Sequence, residues 1–343
     1  MRALVKMAKG PGLVEIREVQ EPRPGPGEVL IKVMAGGICG SDIHILSDQF
    51  PYWPPVILGH EFAGEIAGLG DRVSGWQVGD RVVSELHTRA CGNCRHCRTG
   101  NLQICLSKRA PGWGIDGCFA GFITMPAALL HRIPDNVSFE QAAVVEPTAI
   151  AAQAMLDRGR VLPGDLVVVL GPGPVGLLCA QIAKSCGARV VITGAPSDAD
   201  LRLPVARNLG IDHVINIAEE DPLELVQNLT GGGGADVVVE CAGLDVTINQ
   251  AIAMVRPQGR IIALGIPEVG KQGIIWSSAV FKAIDVAFSF SSKYLDWERA
   301  LAMIGSGQVR VDPLITHKFP LDEWEIAFET IASGKGIKGL LIP

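Results

Sequence analysis

Leu166-Val167-Val168-Val169-Leu170-Gly171-Pro172-Gly173-Pro174-Val175-Gly176 is the stretch whose reading decides the fold. Its uninterrupted apolar run reads as a strand buried on both faces, as in a parallel sheet. The run gives way to G-x-G-x-x-G and then to apolar positions near helical spacing over Val175–Ser185, with Gly187 as the stop. Strand, glycine turn and helix in that order turn a weak motif into a dinucleotide-binding signature. Gly171 permits the tight turn, Gly173 lets the backbone approach a pyrophosphate, and Gly176 lets the helix pack on the strand. The opening of the helix at Pro174-Val175 then attracts the phosphate charge. A glycine-rich turn without ligand would share the composition but not this context.

Working outward, Arg189–Thr193, Asp236–Glu240 and Arg260–Leu264 repeat the apolar-run pattern, and Leu203–Leu209 is helical and stops at Gly210. These are βαβ units, so the class is α/β with a doubly wound parallel sheet. The Gly231–Gly234 run reads as a turn before the strand at Asp236, since no helix opens there. Upstream, to about Ala143, short β-branched runs such as Val29-Leu30-Ile31-Lys32-Val33 alternate with Gly and Pro and read as mostly β. After Phe288 the pattern is mixed, with helical spacing around Trp297–Ile304 and Asp322–Ile331, which allows a return to the first domain. At the end of the second strand of the parallel sheet, an acidic residue would bind ribose hydroxyls and favour NAD. Thr193-Gly194-Ala195 stands there instead and leaves room for a 2′-phosphate, with Ser197 and Arg202 close behind as partners. Asp198 and Asp200 oppose that reading, so the cofactor is NAD(P) with a lean toward NADP.

The 343 residues, 48% hydrophobic and 19% charged, suit about two globular domains. A net charge of −6 with interspersed Lys and Arg argues against a nucleic-acid surface and favours small-molecule chemistry. No long apolar segment at the N-terminus suggests secretion and no later stretch suggests a membrane span, so a cytoplasmic location is expected. Nine cysteines in a large chain of this kind point to metal ligation rather than a disulfide framework.

Cys91, Cys94, Cys97 and Cys105 form C-x₂-C-x₂-C-x₇-C, a spacing that lets four thiolates on one loop converge on a single ion. An iron–sulfur cluster also takes four thiolates and is the competitor to zinc. A second set is dispersed: Cys39 in Cys39-Gly40-Ser41-Asp42-Ile43-His44, His60 and Glu61 in Gly59-His60-Glu61-Phe62, and Glu146 before Pro147. One thiolate, one imidazole and carboxylates suit a catalytic zinc with a position left for water or substrate. Singly, each residue is weak evidence; a lone His60 or Cys39 is more often a packing group.

Together these segments closely resemble the zinc-containing medium-chain alcohol dehydrogenase family over nearly the whole chain, most like its polyol (sorbitol) and L-threonine dehydrogenase branch. The resemblance implies a GroES-like β-rich catalytic domain over 1–148 and 288–343, with a structural zinc lobe at about 87–108. It also implies an inserted Rossmann domain over 149–287. It favours zinc in the cysteine lobe. For the catalytic zinc it implies Cys39, His60 and Glu61, with Glu146 binding directly or through a water, where ordinary alcohol dehydrogenases have a second cysteine. It further implies a proton relay from Ser41 to His44, and Gly243 with Leu264-Gly265-Ile266 beside the nicotinamide. Homo-oligomerisation, as tetramer or dimer, through the cofactor domain is a further implication.

The reaction expected is oxidation of a secondary alcohol of a polyol or sugar alcohol, or the reverse. A threonine-dehydrogenase-like amino-alcohol oxidation is the alternative, because Glu85-Leu86-His87 resembles an acidic-x-His element of that group. Phe50, Trp53 and Phe119 are candidates for the pocket wall, and Cys179, Cys186 and Cys241 for packing. A reading from another class, a zinc-ribbon nucleic-acid module fused to a nucleotide sensor, draws on Arg89, Arg95, His96, Arg98 and Lys108 around the lobe. It leaves the dispersed metal set without a purpose. The chain departs from the family pattern at Asp116–Phe122, where Cys118, Gly121 and Phe122 replace the usual Gly, Glu and Tyr.

Overall fold

The computed structural model describes residues 1–267 and 273–343. The chain divides into two units, Met1–Glu146 with Ser292–Gly305 and Ile315–Pro343, and Pro147–Ser291 with Ser306–Leu314. Residues 306–314 belong with the second unit for a specific reason. The side-chain amide of Gln181 brackets the backbone of Arg310, accepting from its N–H at 2.8 Å and donating to its carbonyl at 3.3 Å. The Arg310 guanidinium also donates to the Asn208 carbonyl at 3.1 Å. Among the described residues no helix is long and apolar enough to cross a membrane.

In the second unit, six parallel strands run in the order His213–Asn216, Arg189–Gly194, Leu166–Leu170, Ala235–Glu240, Val255–Ala263 and Asp285–Phe288. Numbered along the chain this is 3-2-1-4-5-6, the doubly wound order, with its reversal point between Leu166–Leu170 and Ala235–Glu240. Every residue of Leu166–Leu170 is buried, as a strand covered on both faces requires. Helix Pro174–Ser185 follows directly, with Pro174 in its first turn, where the missing N–H costs nothing.

The first unit is built on strands Ile315–Pro320, Lys338–Ile342, Glu28–Gly37, Glu61–Leu69, Arg81–Ser84 and Leu130–Arg132, with Phe122–Pro126 pairing the other side of Glu28–Gly37. Val29, Ile31 and Val33 alternate inward along Glu28–Gly37 and meet Ile66, Val82, Ile123 and Phe328 in one core. Phe119, a candidate pocket residue by sequence, is fully buried in that core, its ring 6.2 Å from Phe328. Its backbone position decides this, since its N–H donates to the Leu58 carbonyl at 2.9 Å.

A buried polar chain fixes the helix Tyr294–Gly305 within this unit. Glu85 faces His87 Nε2 at 3.2 Å through one oxygen and His131 Nε2 at 3.5 Å through the other. The other His131 nitrogen meets Glu298, its ring stacks on Trp297 at 5.8 Å, and His87 Nε2 donates to the Ser292 carbonyl at 2.7 Å. Burial alone would raise the Glu85 carboxyl, but hydrogen bonds and charge from His131 and His87 outweigh it and hold it below its ordinary value of 4.5. A depressed carboxyl contributes stability that is complete above the unfolded value and is lost as pH falls through the folded one. Glu85→Gln is therefore expected to lower the melting temperature at neutral pH and to cost progressively less below about pH 4. Calorimetry of both proteins across that range checks it, and a deficit independent of pH would refute the assignment.

Candidate functional site

Strand Glu28–Gly37 delivers Cys39 to the start of helix Gly40–Leu46, where Cys39 is the N-cap with extended backbone. Asp42, in the first turn, returns its carboxylate to the Cys39 N–H at 2.9 Å and so fixes the turn that carries the thiol. His60 and Glu61 arrive from the other side. Gly59 precedes them at φ +88, and a Cβ there would lie 2.5 Å from the Phe119 ring, so both backbone and space demand glycine. Glu61 pairs with Gly37 across the sheet, and a Cβ at Gly37 would sit 2.3 Å from Glu61 Oε2. The missing side chain makes room for the carboxylate.

The ligand atoms of Cys39, His60 and Glu61 all lie within 4.8 Å of one another. The other carboxyl oxygen of Asp42 faces His60 Nδ1 at 3.6 Å, and neither of these buried atoms has a hydrogen-bond partner. That pairing orients the ring and leaves Nε2 free to ligate, a carboxylate–histidine arrangement common at zinc. Burial opposes the charged His60 ring, yet Asp42 outweighs it and raises the pKa well above the usual value. Glu146 stands outside the three-residue set but is buried beside it. Its carboxyl is pushed up to about 7, burial leading and Glu61 adding, against His60, Lys338 and Lys108. Ser41 Oγ lies 3.5 Å from His60 Nε2, whereas His44 is exposed at the far end of the helix and makes no hydrogen bond to Ser41.

The cysteine lobe is equally specific. Cys91, Cys94, Cys97 and Cys105 hold their sulfurs within 4.8 Å of one another, with separations of 3.7 Å for Cys91–Cys105 and 4.0 Å for Cys91–Cys97 and Cys94–Cys105. Four sulfurs at Zn–S distances of about 2.3 Å sit roughly 3.8 Å apart in a tetrahedron, so the donor set fits zinc. Backbone N–H groups of Cys91, Cys94 and Cys97 point at neighbouring sulfurs at 3.4, 3.4 and 3.5 Å. The Cys91 N–H leads in drawing the Cys105 thiol down to about 6, toward the ligating thiolate form.

In the second unit, Gly171 has φ +104, and a Cβ on Gly176 would lie 2.0 Å from the Gly171 carbonyl. A Cβ on Gly173 would meet nothing within 4 Å, so open space lies over the helix start. Gly243 and Gly265 press together, Leu264 and Gly265 donate to the Glu240 carbonyl, and Glu240 Oε1 accepts from Ala242, Gly243 and Thr247. Ile266 follows exposed. At the second strand end, Asp198 accepts from the Ala195 N–H at 2.9 Å and pairs with Arg202 at 2.9 Å, while Ser197 is exposed. Gly194 is confined: a Cβ there would lie 2.8 Å from Leu203 and 2.9 Å from Pro172.

Three residues near the dispersed set were not assigned to it from sequence. Asp42 occupied the capping-box position three after Cys39 and was readable on that ground. Lys338 offered no local signal, and Lys108 was read only as a charge around the cysteine lobe. Lys338 is buried with its ammonium on Glu61, and Lys108 is buried with its pKa lowered to about 8, desolvation leading and Glu146 opposing. Of the proposed aromatic wall, Phe50 and Trp53 flank Trp113 at 5.7 and 6.0 Å, and Arg109 lies 4.3 Å over Trp53.

The alcohol dehydrogenase GroES-like domain family matches residues 25–135, and the zinc-binding dehydrogenase family matches residues 174–306. Sorbitol dehydrogenase of Halalkalibacterium halodurans is 42% identical over 343 residues, covering 100% of this chain and 99% of that protein. L-threonine 3-dehydrogenase of Pyrococcus horikoshii is 38% identical over 345 residues, covering 98% and 96%. The crystal structure of a zinc-binding dehydrogenase from Sinorhizobium meliloti 1021 bound to NADP matches with a TM-score of 0.91 at 30% identity, covering 100% and 99%.

The two glycines of the turn separate space for ligand from space for packing. Gly173→Ala is expected to leave thermal stability unchanged and to weaken dinucleotide binding by roughly tenfold or more. Gly176→Ala should lower both, because its Cβ has to displace the Gly171 carbonyl. Titration of dinucleotide fluorescence beside thermal melts distinguishes them, and equal stability in the two variants would contradict the division.

Proposed function

The chain belongs to the zinc-binding alcohol dehydrogenase family, and from that premise we propose that it interconverts a secondary alcohol of a polyol or sugar alcohol and the ketone, with NAD(P) exchanging the hydride. The observation that carries this reading is the convergence of Cys39, His60 and Glu61 within 4.8 Å in a chain similar end to end to a sorbitol dehydrogenase. Zinc held by Cys39, His60 and Glu61, with Glu146 directly or through a water, would polarise the substrate oxygen and lower the pKa of its hydroxyl. A second zinc in Cys91, Cys94, Cys97 and Cys105 would close the lobe as a structural ion.

Asp42 faces the His60 ring, and Ser41 Oγ stands beside it to accept the substrate hydroxyl proton. Exposed His44, which makes no hydrogen bond to Ser41, would pass that proton to solvent. The carbon then gives up a hydride, and the dinucleotide, when bound, supplies the acceptor. Gly171, Gly173, Pro174, Val175 and Gly176 would hold its pyrophosphate, and Gly243 with Leu264, Gly265 and Ile266 would shape the nicotinamide end. An amino-alcohol reaction would use His87 against substrate. Its ring is held instead by the Ser292 carbonyl and Glu85, which favours the polyol.

For oligomerisation, strand Asp285–Phe288 ends the parallel sheet with no strand on its outer edge among the described residues, and Trp276, Phe281 and Phe288 are exposed on that unit. An exposed edge with large apolar side chains is suited to pairing with a second copy.

Two measurements test the function. Metal analysis should find two zinc ions per chain, and polyols should drive NAD(P) reduction. Cys39→Ser should lose turnover and keep the fold, whereas Cys91→Ser should mainly lose stability. A fully loaded protein with one zinc, or with iron and labile sulfide, would overturn the assignment.

For cofactor choice, Gly194 leaves the strand end without an acid, and the buried Nε of Arg202 has no hydrogen-bond partner. A 2′-phosphate would supply one. Arg202→Leu should raise the KM for NADP by roughly tenfold and that for NAD by less than about threefold. Equal effects on both would remove Arg202 from cofactor selection.

A further inference from the structure

Lys338 opens strand Lys338–Ile342 and is only 2% exposed. Its Nζ donates to Glu61 Oε1 at 2.9 Å, to Glu61 Oε2 at 2.7 Å and to the Ile38 carbonyl at 3.0 Å. An ammonium has three N–H donors, so all three are satisfied. The lysine cannot drift from this position. Its strand is zipped to Glu28–Gly37 at Leu340↔Gly37 and Leu341↔Gly36, and the Ile38 N–H donates to the Gly339 carbonyl at 2.9 Å. It therefore grips the carboxylate of one member of the Cys39–His60–Glu61 set and the backbone next to another.

We propose that Lys338 is a positioning residue of this centre, whose ammonium holds both oxygens of the Glu61 carboxylate in place for a divalent cation. The inference rests on the reading of Glu61 as a metal ligand. Glu61 is 1% exposed, and the lysine contacts at 2.9 and 2.7 Å fix where both of its oxygens stand. With Lys338 present, the carboxylate is oriented before metal arrives. A carboxylate has about four lone-pair sites, so Glu61 can offer one oxygen to a metal and keep a lysine contact on the other.

Removing one partner of a buried pair leaves the other uncompensated, whereas removing both does not. Metal at the site would compensate Glu61 in the lysine's place.

The test is a comparison of thermal stability with the Cys39–His60–Glu61 site stripped of metal and with zinc restored, zinc counted in each sample. Lys338→Met should melt about 5–10 °C below the parent when stripped and recover most of that difference with zinc. The zinc-induced shift is thus larger than in the parent. Lys338→Arg should behave as the parent does, and the double variant Glu61→Gln/Lys338→Met should regain stripped-state stability. A purely structural lysine would lower both states equally and leave the zinc-induced shift unchanged, which would overturn the inference while two zinc ions per chain still upheld the functional reading. If Lys338→Met folds in neither state and the double variant does not restore it, the inference also falls. A parent that takes up a single zinc would remove the reading of Glu61 as a ligand and the inference with it.

Discussion

Burying charged and titratable side chains beside an apolar core is the constraint on which the first unit depends. Glu61, Asp42, His60, Glu146 and Lys338 are all buried there, and each would be costly alone. They are tolerable because each faces an opposite charge or a fixed dipole. Lys338 holds Glu61, Asp42 caps the Cys39 turn and faces His60, and Glu146 is raised toward neutrality where compensation is incomplete. The apolar core around Ile31, Phe119 and Phe328 excludes the water that would otherwise screen these groups. Low dielectric cuts both ways: the setting that makes an unpaired charge expensive is the one in which a metal and its ligands interact most strongly.

The second unit depends on a different constraint, the close approach of backbone to backbone. Gly176 against Gly171 and Gly265 against Gly243 leave no room for a Cβ, and both contacts lie at strand ends on the two sides of the reversal point of the sheet. Glu240 ties the second of them down by accepting from two backbone N–H groups and one hydroxyl. Gly173 is the exception, with open space around it. A motif of three glycines thus contains one backbone-angle requirement at Gly171, one packing requirement at Gly176 and one vacancy at Gly173, and the vacancy is where a phosphate would go.

How much was legible in the sequence followed the distance along the chain between cooperating residues. Cys91, Cys94, Cys97 and Cys105 sit on one loop, and Gly171, Gly173 and Gly176 in one turn, so spacing alone carried both. Asp42 was readable from helix capping, three residues from Cys39, once the helix start is recognised. Lys338 lies 277 residues from Glu61, and only the pairing of Lys338–Ile342 with Glu28–Gly37 brings them together. No periodicity encodes that contact. Phe119 misled for a related reason: loop residues are expected near the surface, but the loop is drawn inward by backbone hydrogen bonds to Leu58 and Gly59 that sequence does not display. The segment 306–314 likewise follows Gln181, 129 residues away from Arg310.

The second strand end of the parallel sheet shows why a single position is a poor guide to cofactor choice. By sequence, Thr193-Gly194-Ala195 reads as room left for a 2′-phosphate where an acid would otherwise stand. The structure makes it a contact, with Leu203 and Pro172 where a Cβ would stand. The carboxylate in this region comes instead from Asp198, which folds back to the Ala195 N–H and pairs with Arg202. An Asp–Arg pair is neutral as a unit and so discriminates weakly through net charge alone. What remains is the buried Nε of Arg202, a donor without an acceptor. Leaving a buried charged donor unsatisfied is unfavourable by about 1–3 kcal/mol or more, so an anionic acceptor brought to it gains that energy back. On the proposed reading, preference at this strand end would turn on hydrogen-bond satisfaction at Arg202 rather than on the missing acid at Gly194.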